Sequence, residues 1–145
     1  MLQSLVIKKF AIIDSLNISF TKGLNIITGE TGSGKSIIIN AIDLLMGAKF
    51  KSENFRDEDS PTSISGTFFF NDQEVKVEKI FNHSGNHKIT INDEVVNNNE
   101  LRRRVKYYID MHGQYNQHSI LDKSSHIDFF DNFGNYEGLL NKFRI

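Results

Sequence analysis

Residues 29–36, Gly29-Glu30-Thr31-Gly32-Ser33-Gly34-Lys35-Ser36, read G-x-x-x-x-G-K-S, a spacing suited to holding a polyphosphate. Glycines at 29, 32 and 34 let the backbone turn tightly and bring its N–H groups against phosphate oxygens. Lys35 is placed to reach the β- and γ-phosphates, and the Ser36 hydroxyl to ligate Mg²⁺. Glu30, Thr31 and Ser33 fill the variable positions of the cradle, and Ile37 opens a helix whose positive end favours the same anion. An apolar run at 24–28 precedes the loop and another at 37–46 follows it. That strand, loop and helix order is what the motif requires.

Other chemistry-bearing residues group less decisively. Asp93-Glu94 follows Ile89-Thr90-Ile91-Asn92, and an acidic pair after an apolar strand is a second phosphate-site element. That element needs a strand buried on both faces, whereas this run alternates. The pair is read as a turn. His112, His118 and His126 match no metal-ligand spacing and have no carboxylate or thiolate cluster beside them. Gln114 follows the apolar stretch 107–111 through Gly113. A glutamine so placed can present its carbonyl to Mg²⁺ and its amide to an attacking water, although spacing alone favours a plain loop residue. Arg102-Arg103-Arg104 with Lys106 reads as a solvated helix face ahead of a nucleic-acid contact. For Lys49 and Arg56, spacing does not choose between solvation and contact with nucleotide or DNA.

The elements that must position these groups follow from periodicity. Residues 2–10, 15–20 and 24–28 read as three strands. The second has Leu16, Ile18 and Phe20 on one face, and the third is apolar enough to be buried. The helix after the loop is apolar almost all round, which predicts burial against a sheet, with Gly47 at its C-terminal end. Residues 48–63 are polar, contain Pro61, the one proline, and read as a mobile loop. Segments 63–70, 74–81 and 87–91, separated by turn residues, predict an antiparallel meander. A short helix over 100–105 has Asn98 or Asn99 as its N-cap, 107–111 is a strand, and a last helix runs from 124 towards 133.

Composition bounds the rest. A chain of 145 residues is one domain or a piece of one, and its net charge of −1 gives no global electrostatic case for nucleic acid. With no cysteine, disulfides and thiolate metal sites are excluded, and a reducing compartment is the natural setting. The N-terminus lacks the order of a signal peptide, and no apolar run approaches the roughly 20 residues that span a bilayer. A soluble, cytoplasmic protein without a membrane partner is expected.

Residues 10–16, 23–41 and Asp110-Met111-His112-Gly113-Gln114, continued by Ile120-Leu121 and 126–131, resemble the start of the RecN family. Its members are bacterial double-strand-break repair ATPases related to SMC proteins. The resemblance implies an α/β P-loop fold: the N-terminal lobe of an ABC/SMC-type head, with a parallel core strand, loop and helix plus an antiparallel β subdomain. It divides the chain into 1–47 (strands, loop and first helix), 48–99 (loop and antiparallel strands) and 100–145 (Gln114 region). It implies ATP and Mg²⁺, with Gln114 as the Q-loop glutamine beside Lys35 in catalysis and beside Ser36 at the metal. It further implies a C-terminal lobe of the same protein supplying the signature motif and Asp-Glu pair, a second head closing over ATP, DNA as partner, and a nucleoid-associated location. This chain contains neither signature nor buried-strand Asp-Glu, so weak nucleotide binding and little hydrolysis are expected of it alone. Two departures stand out: Lys9 where the family has Asn, and Phe55-Arg56-Asp57-Glu58 where it has Ile-Arg-x-Gly. A self-contained nucleotide switch or kinase, and a DNA-binding interaction module, are the alternatives.

Overall fold

In the computed structural model, residues 1–57, 59–70, 72–105, 108 and 109 are described. Strands β1 (Leu2–Phe10) and β2 (Ile13–Ser19) form a hairpin. Helix α1 (Lys35–Leu45) follows the glycine loop. Next come β3 (Thr62–Phe70), β4 (Gln73–Phe81), β5 (His87–Ile91), the short β6 (Glu94–Val95), and α2 (Asn98–Val105). The six strands make one sheet, in the order β2-β1-β3-β4-β5-β6, and every pairing is antiparallel.

Alternation decides which face is covered. Leu5, Gly66, Val77 and Ile91 lie in one cross-strand row, and Ile7, Ile64, Lys79 and Ile89 in the next. All eight are buried, because α1 and α2 lie on this side. The opposite side of the sheet carries Lys8, Ser63, Ser65, Thr67, Lys76 and Lys88, none of them buried. Helix and sheet meet most closely at Gly66, where an added Cβ would stand 2.7 Å from the Leu45 Cδ1.

The meander expected from 63–70, 74–81 and 87–91 is present, with ends shifted by a residue. The turn reading of Asp93-Glu94 also holds. Asn92 and Asp93 both have positive φ (48° and 66°), as a tight primed hairpin turn requires, and Glu94 starts β6. Helix α1 ends in a Schellman motif: Gly47, at φ 100°, donates to the Leu44 carbonyl, and Ala48 donates to that of Asp43.

Several expectations are corrected. The run at 24–28 is not a strand, and it is solvent-facing: Leu24 is 85% exposed and Ile26 73%. Without neighbouring strands to complete its ladder, an apolar run has nothing to pair with, and no described strand lies beside it. The parallel core strand is therefore not formed among the described residues. Helix α1 begins at Lys35 and buries one stripe, Ala41, Ile42, Leu44 and Leu45, whereas Ile39 is exposed. A single sheet covers only one side of a helix. The 48–63 stretch is pinned down. It contains a 3-10 turn (Ser52–Asn54), a bridge from Phe10 to Phe55, and Phe50 stacked at 4.0 Å on Phe81 and at 4.7 Å edge-on to Phe55. The cap of α2 is Asn97, whose side-chain oxygen accepts from the Glu100 N–H at 2.9 Å. At the described part of 107–111, Tyr108 is in a turn closed by its N–H to the Val105 carbonyl, and Ile109 has no regular structure. The expected helix at 124–133 lies outside the described residues, as do His112, Gln114, His118 and His126.

Candidate nucleotide site

The approach to the loop is shaped by one side chain. The Asn25 side-chain oxygen accepts from the Thr21 N–H (3.0 Å) and hydroxyl (3.3 Å), while its amide donates to the carbonyls of Thr21 (2.8 Å) and Gly23 (3.2 Å). This closes the 21–25 turn from both sides. The loop then runs from Gly29 to Gly34 and delivers its last glycine, at φ 96°, as the N-cap of α1. A left-handed N-cap suits glycine, and without a side chain it leaves the first turn open.

That first turn carries no side-chain cap and no acidic residue. The N–H groups of Ile37 and Ile38 both bond to the Gly34 carbonyl, at 3.0 and 3.2 Å. Those of Lys35 and Ser36 have no acceptor within the helix, so the positive end of α1 is free to meet an anion. The Lys35 ammonium curls into the loop and donates to the carbonyls of Gly29 and Glu30 (the latter at 2.6 Å) and to the Ser33 hydroxyl at 3.2 Å. Its three donors therefore converge on the cradle that the loop backbone outlines. The cradle has no room for a side chain at Gly29, where a Cβ would stand 2.5 Å from Ser33 Oγ. Gly29, Glu30, Thr31, Gly32, Ser33, Gly34, Lys35, Ser36 and Ile37 are thus contiguous around one N-terminus, as the motif demands. These residues fit a nucleotide's phosphates. Among the described residues no cluster of three or more His, Cys, Asp or Glu could hold a metal by itself.

The β1–β2 turn approaches the loop from one side: a Cβ at Gly34 would lie 3.9 Å from Ile12 Cδ1. Behind Ile12, Lys9, a departure from the RecN pattern, meets the segment of Arg56 and Asp57. Lys9 Nζ is 2.6 Å from Asp14 and 3.0 Å from Asp57. Arg56 Nε is 3.8 Å from both carboxylates, and its Nη1 donates to the Ile12 carbonyl. The hydrogen bond to Asp14 and then that to Asp57 raise the Lys9 pKa, and Lys9 in turn lowers that of Asp14. Arg56 is thereby tied to the turn that flanks the loop. Lys49 lies apart, at a polar cavity of about 180 Å³ on the outer side of α1 with Asn40, Lys51 and Glu53.

The arginine run is partly neutralised, by two carboxylates for three guanidiniums. Arg104 bonds to Glu94 (2.8 Å) and Glu100 (2.6 Å), Arg103 pairs with Glu100, and Arg102 donates to the Gly47 carbonyl at 2.9 Å. Their guanidinium groups hold Glu94 and Glu100 below the usual carboxylate range. Sequence reasoning missed Lys79, buried on the inner face and donating to Asn98 Oδ1 at 3.0 Å. A partial signal was there: Val75, Val77 and Phe81 share one parity with Lys79, which places the lysine inside although Ile80 breaks the alternation.

A family model for the AAA domain matches residues 4–143. The chain belongs to that family. Membership implies nucleotide binding, the property the loop geometry fits. The chain is also RecN-like. It is 32% identical over 154 residues to DNA repair protein RecN of Bacillus subtilis, covering 94% of this chain and 27% of that one. It spans about a quarter of the length of the curated relatives it matches. In structure it resembles the recombination mediator protein RecF of the RecFOR pathway in its ATPrS form (TM-score 0.64, 27% identity, 70% of this chain and 29% of that one). It also resembles the Smc head domain of Pyrococcus furiosus (TM-score 0.71, 19% identity, 97% and 44%), a likeness of fold. The fold is thus that of the N-terminal lobe of an ABC/SMC-type P-loop head. Among the described residues no helix is long and apolar enough to cross a membrane.

Proposed function

We propose that residues 1–145 hold the phosphates of ATP within the head of a RecN-like ATPase acting in DNA double-strand-break repair and recombination, in the bacterial cytoplasm at the nucleoid. The observation that carries the reading is the uncapped, acid-free N-terminus of α1, framed by the glycine loop with the Lys35 ammonium inside it. Lys35 and the loop amides bind the phosphates and offset the charge that grows on the transferring group. Ser36 and Gln114 are the residues that would hold Mg²⁺, which would supply charge neutralisation at the phosphates. The Ser36 assignment follows the G-x-x-x-x-G-K-S motif, and that of Gln114 the resemblance of Asp110-Met111-His112-Gly113-Gln114 to the family's Q-loop.

The remaining catalytic groups come from a C-terminal lobe of the parent protein and from a second head. Supporting this are the exposed apolar side chains of Ile12, Leu24, Ile26 and Ile39, in the segments before and after the loop, which call for a covering partner. DNA is reached through the parent protein. A DNA-binding module built on Arg102–Arg104 is disfavoured, because Arg103 and Arg104 are paired with carboxylates and Arg102 is engaged by the Gly47 carbonyl. A self-contained kinase or switch is disfavoured by the strands described, none of which ends in a buried aspartate.

A titration with a fluorescent ATP analogue and Mg²⁺ tests the reading. Binding is expected, Lys35→Ala weakens it by about tenfold or more, and turnover by this chain alone is negligible. Absence of binding by the unaltered chain overturns the nucleotide reading. Robust turnover abolished by Lys35→Ala overturns the half-site reading.

A further inference from the structure

The far end of α1 is held as deliberately as its near end. The Gly47 carbonyl, just past the helix, accepts two hydrogen bonds from α2: the Asn98 amide at 3.0 Å and Arg102 Nε at 2.9 Å. Behind Asn98, Lys79 donates to the other atom of the same amide. Lys79 is 2% exposed, sits in the apolar row of Ile64 and Ile89, and carries its ammonium 5.5 Å from the centre of the Phe81 ring. An ammonium can only donate. It therefore fixes the Asn98 amide with its oxygen towards Lys79 and its NH₂ towards Gly47. The Arg102 stem covers Gly47 so closely that an added Cβ there would collide with Arg102 Cγ. Donors and cationic groups at a helix C-terminus support the dipole whose positive end faces the phosphates.

We propose that Asn98 and Arg102, with Lys79 orienting Asn98, are positioning residues for the phosphate loop: they grip the C-terminal end of α1 and so set the helix that presents the loop amides to nucleotide. The grip comes from α2, whose last residue precedes Gln114 by nine positions (114 − 105). The same contact links the loop helix to the segment leading to the Q-loop glutamine. The inference rests on the nucleotide-holding role proposed above.

Three variants separate positioning from mere stability. Asn98→Asp keeps the acceptor for Lys79 and gives it a carboxylate, but removes the donor to Gly47. Arg102→Met keeps the stem and removes Nε, whereas Arg102→Lys returns a cationic donor. Two readouts are taken on the full chain: affinity for a fluorescent ATP analogue, and hydrogen exchange of the α1 amides without nucleotide. Asn98→Asp and Arg102→Met are expected to weaken nucleotide binding about threefold to tenfold and to speed exchange in the first turn of α1 by a similar factor. Arg102→Lys recovers most of both, and Asn98→Asp retains the wild-type unfolding midpoint. Unchanged affinity and exchange in Asn98→Asp and Arg102→Met overturn the proposal. So does equal loss in Arg102→Met and Arg102→Lys. If Asn98→Asp fails to fold, the Arg102 pair decides. If the unaltered chain binds no nucleotide, the role in the previous subsection has failed, and exchange along α1 alone decides whether the grip reaches the loop.

Discussion

Lys79→Met should make the chain more stable at neutral pH, and the gain should vanish in alkali. Burial, with Arg102 adding to it, pushes the Lys79 pKa down from 10.5 to about 8. Between those values the unfolded chain binds a proton that the folded chain does not, so stability rises with pH from about 8 and levels off near 10.5. The difference of about 2.5 units corresponds to about 3 kcal/mol held against the folded state at pH 7. Methionine keeps the aliphatic stem in its apolar row and removes the charge, but it leaves Asn98 Oδ1 without its donor at a cost of about 1–2 kcal/mol. The variant should therefore be the more stable by about 1–2 kcal/mol at pH 7 and the less stable by up to about 1 kcal/mol at pH 10. Urea unfolding of both chains, followed by far-UV circular dichroism from pH 6.5 to 10.5, measures this. Taking the difference between the chains cancels the titration of every other group. A difference that stays constant with pH would refute the claim that Lys79 is a buried cation without a carboxylate partner among the described residues.

Other substitutions probe single contacts. Gly66→Val places side-chain atoms where Leu45 Cδ1 already lies 2.7 Å from a Cβ position, and should lower stability by about 1–3 kcal/mol in the same urea assay. Asn97→Ala removes the cap of α2 and should cost about 1 kcal/mol, whereas Asn99→Ala, at an exposed position, should cost less than about 0.5 kcal/mol; the reverse order would show the cap misassigned. Leu24→Asp with Ile26→Asp should leave the unfolding midpoint of this chain within about 0.5 kcal/mol of wild type, because both side chains are exposed. The same pair in the longer parent protein should impair assembly of the head and its ATP turnover, read by co-purification of the separately expressed C-terminal part. Full assembly would show that these side chains are not part of a covered face.

Much of this protein was legible from residue order alone, where the deciding physics is local. The phosphate loop is a run of eight residues whose glycines, lysine and serine each act through their own backbone or first neighbours. The structure arranges them around the N-terminus of α1 as the spacing requires. The meander was equally legible, because a period of two and turn residues such as Asn92-Asp93 specify strands and hairpins over short range. Tertiary structure decided what depends on distant neighbours. The run at 24–28 has the composition of a buried strand, yet a strand exists only with partners for its backbone, and the described sheet supplies none. The arginines at 102–104 read as a solvated helix face, with Glu100 within one turn of them, but only folding brought Glu94 and the Gly47 carbonyl to them. Lys9, which departs from the family pattern, and Asp57, 48 positions on, became meaningful only as a pair (57 − 9). Lys79 shows the boundary between the two. Alternation along β4 placed it inside, but only the register against β3 and β5 and the packing of α2 showed what its charge meets there.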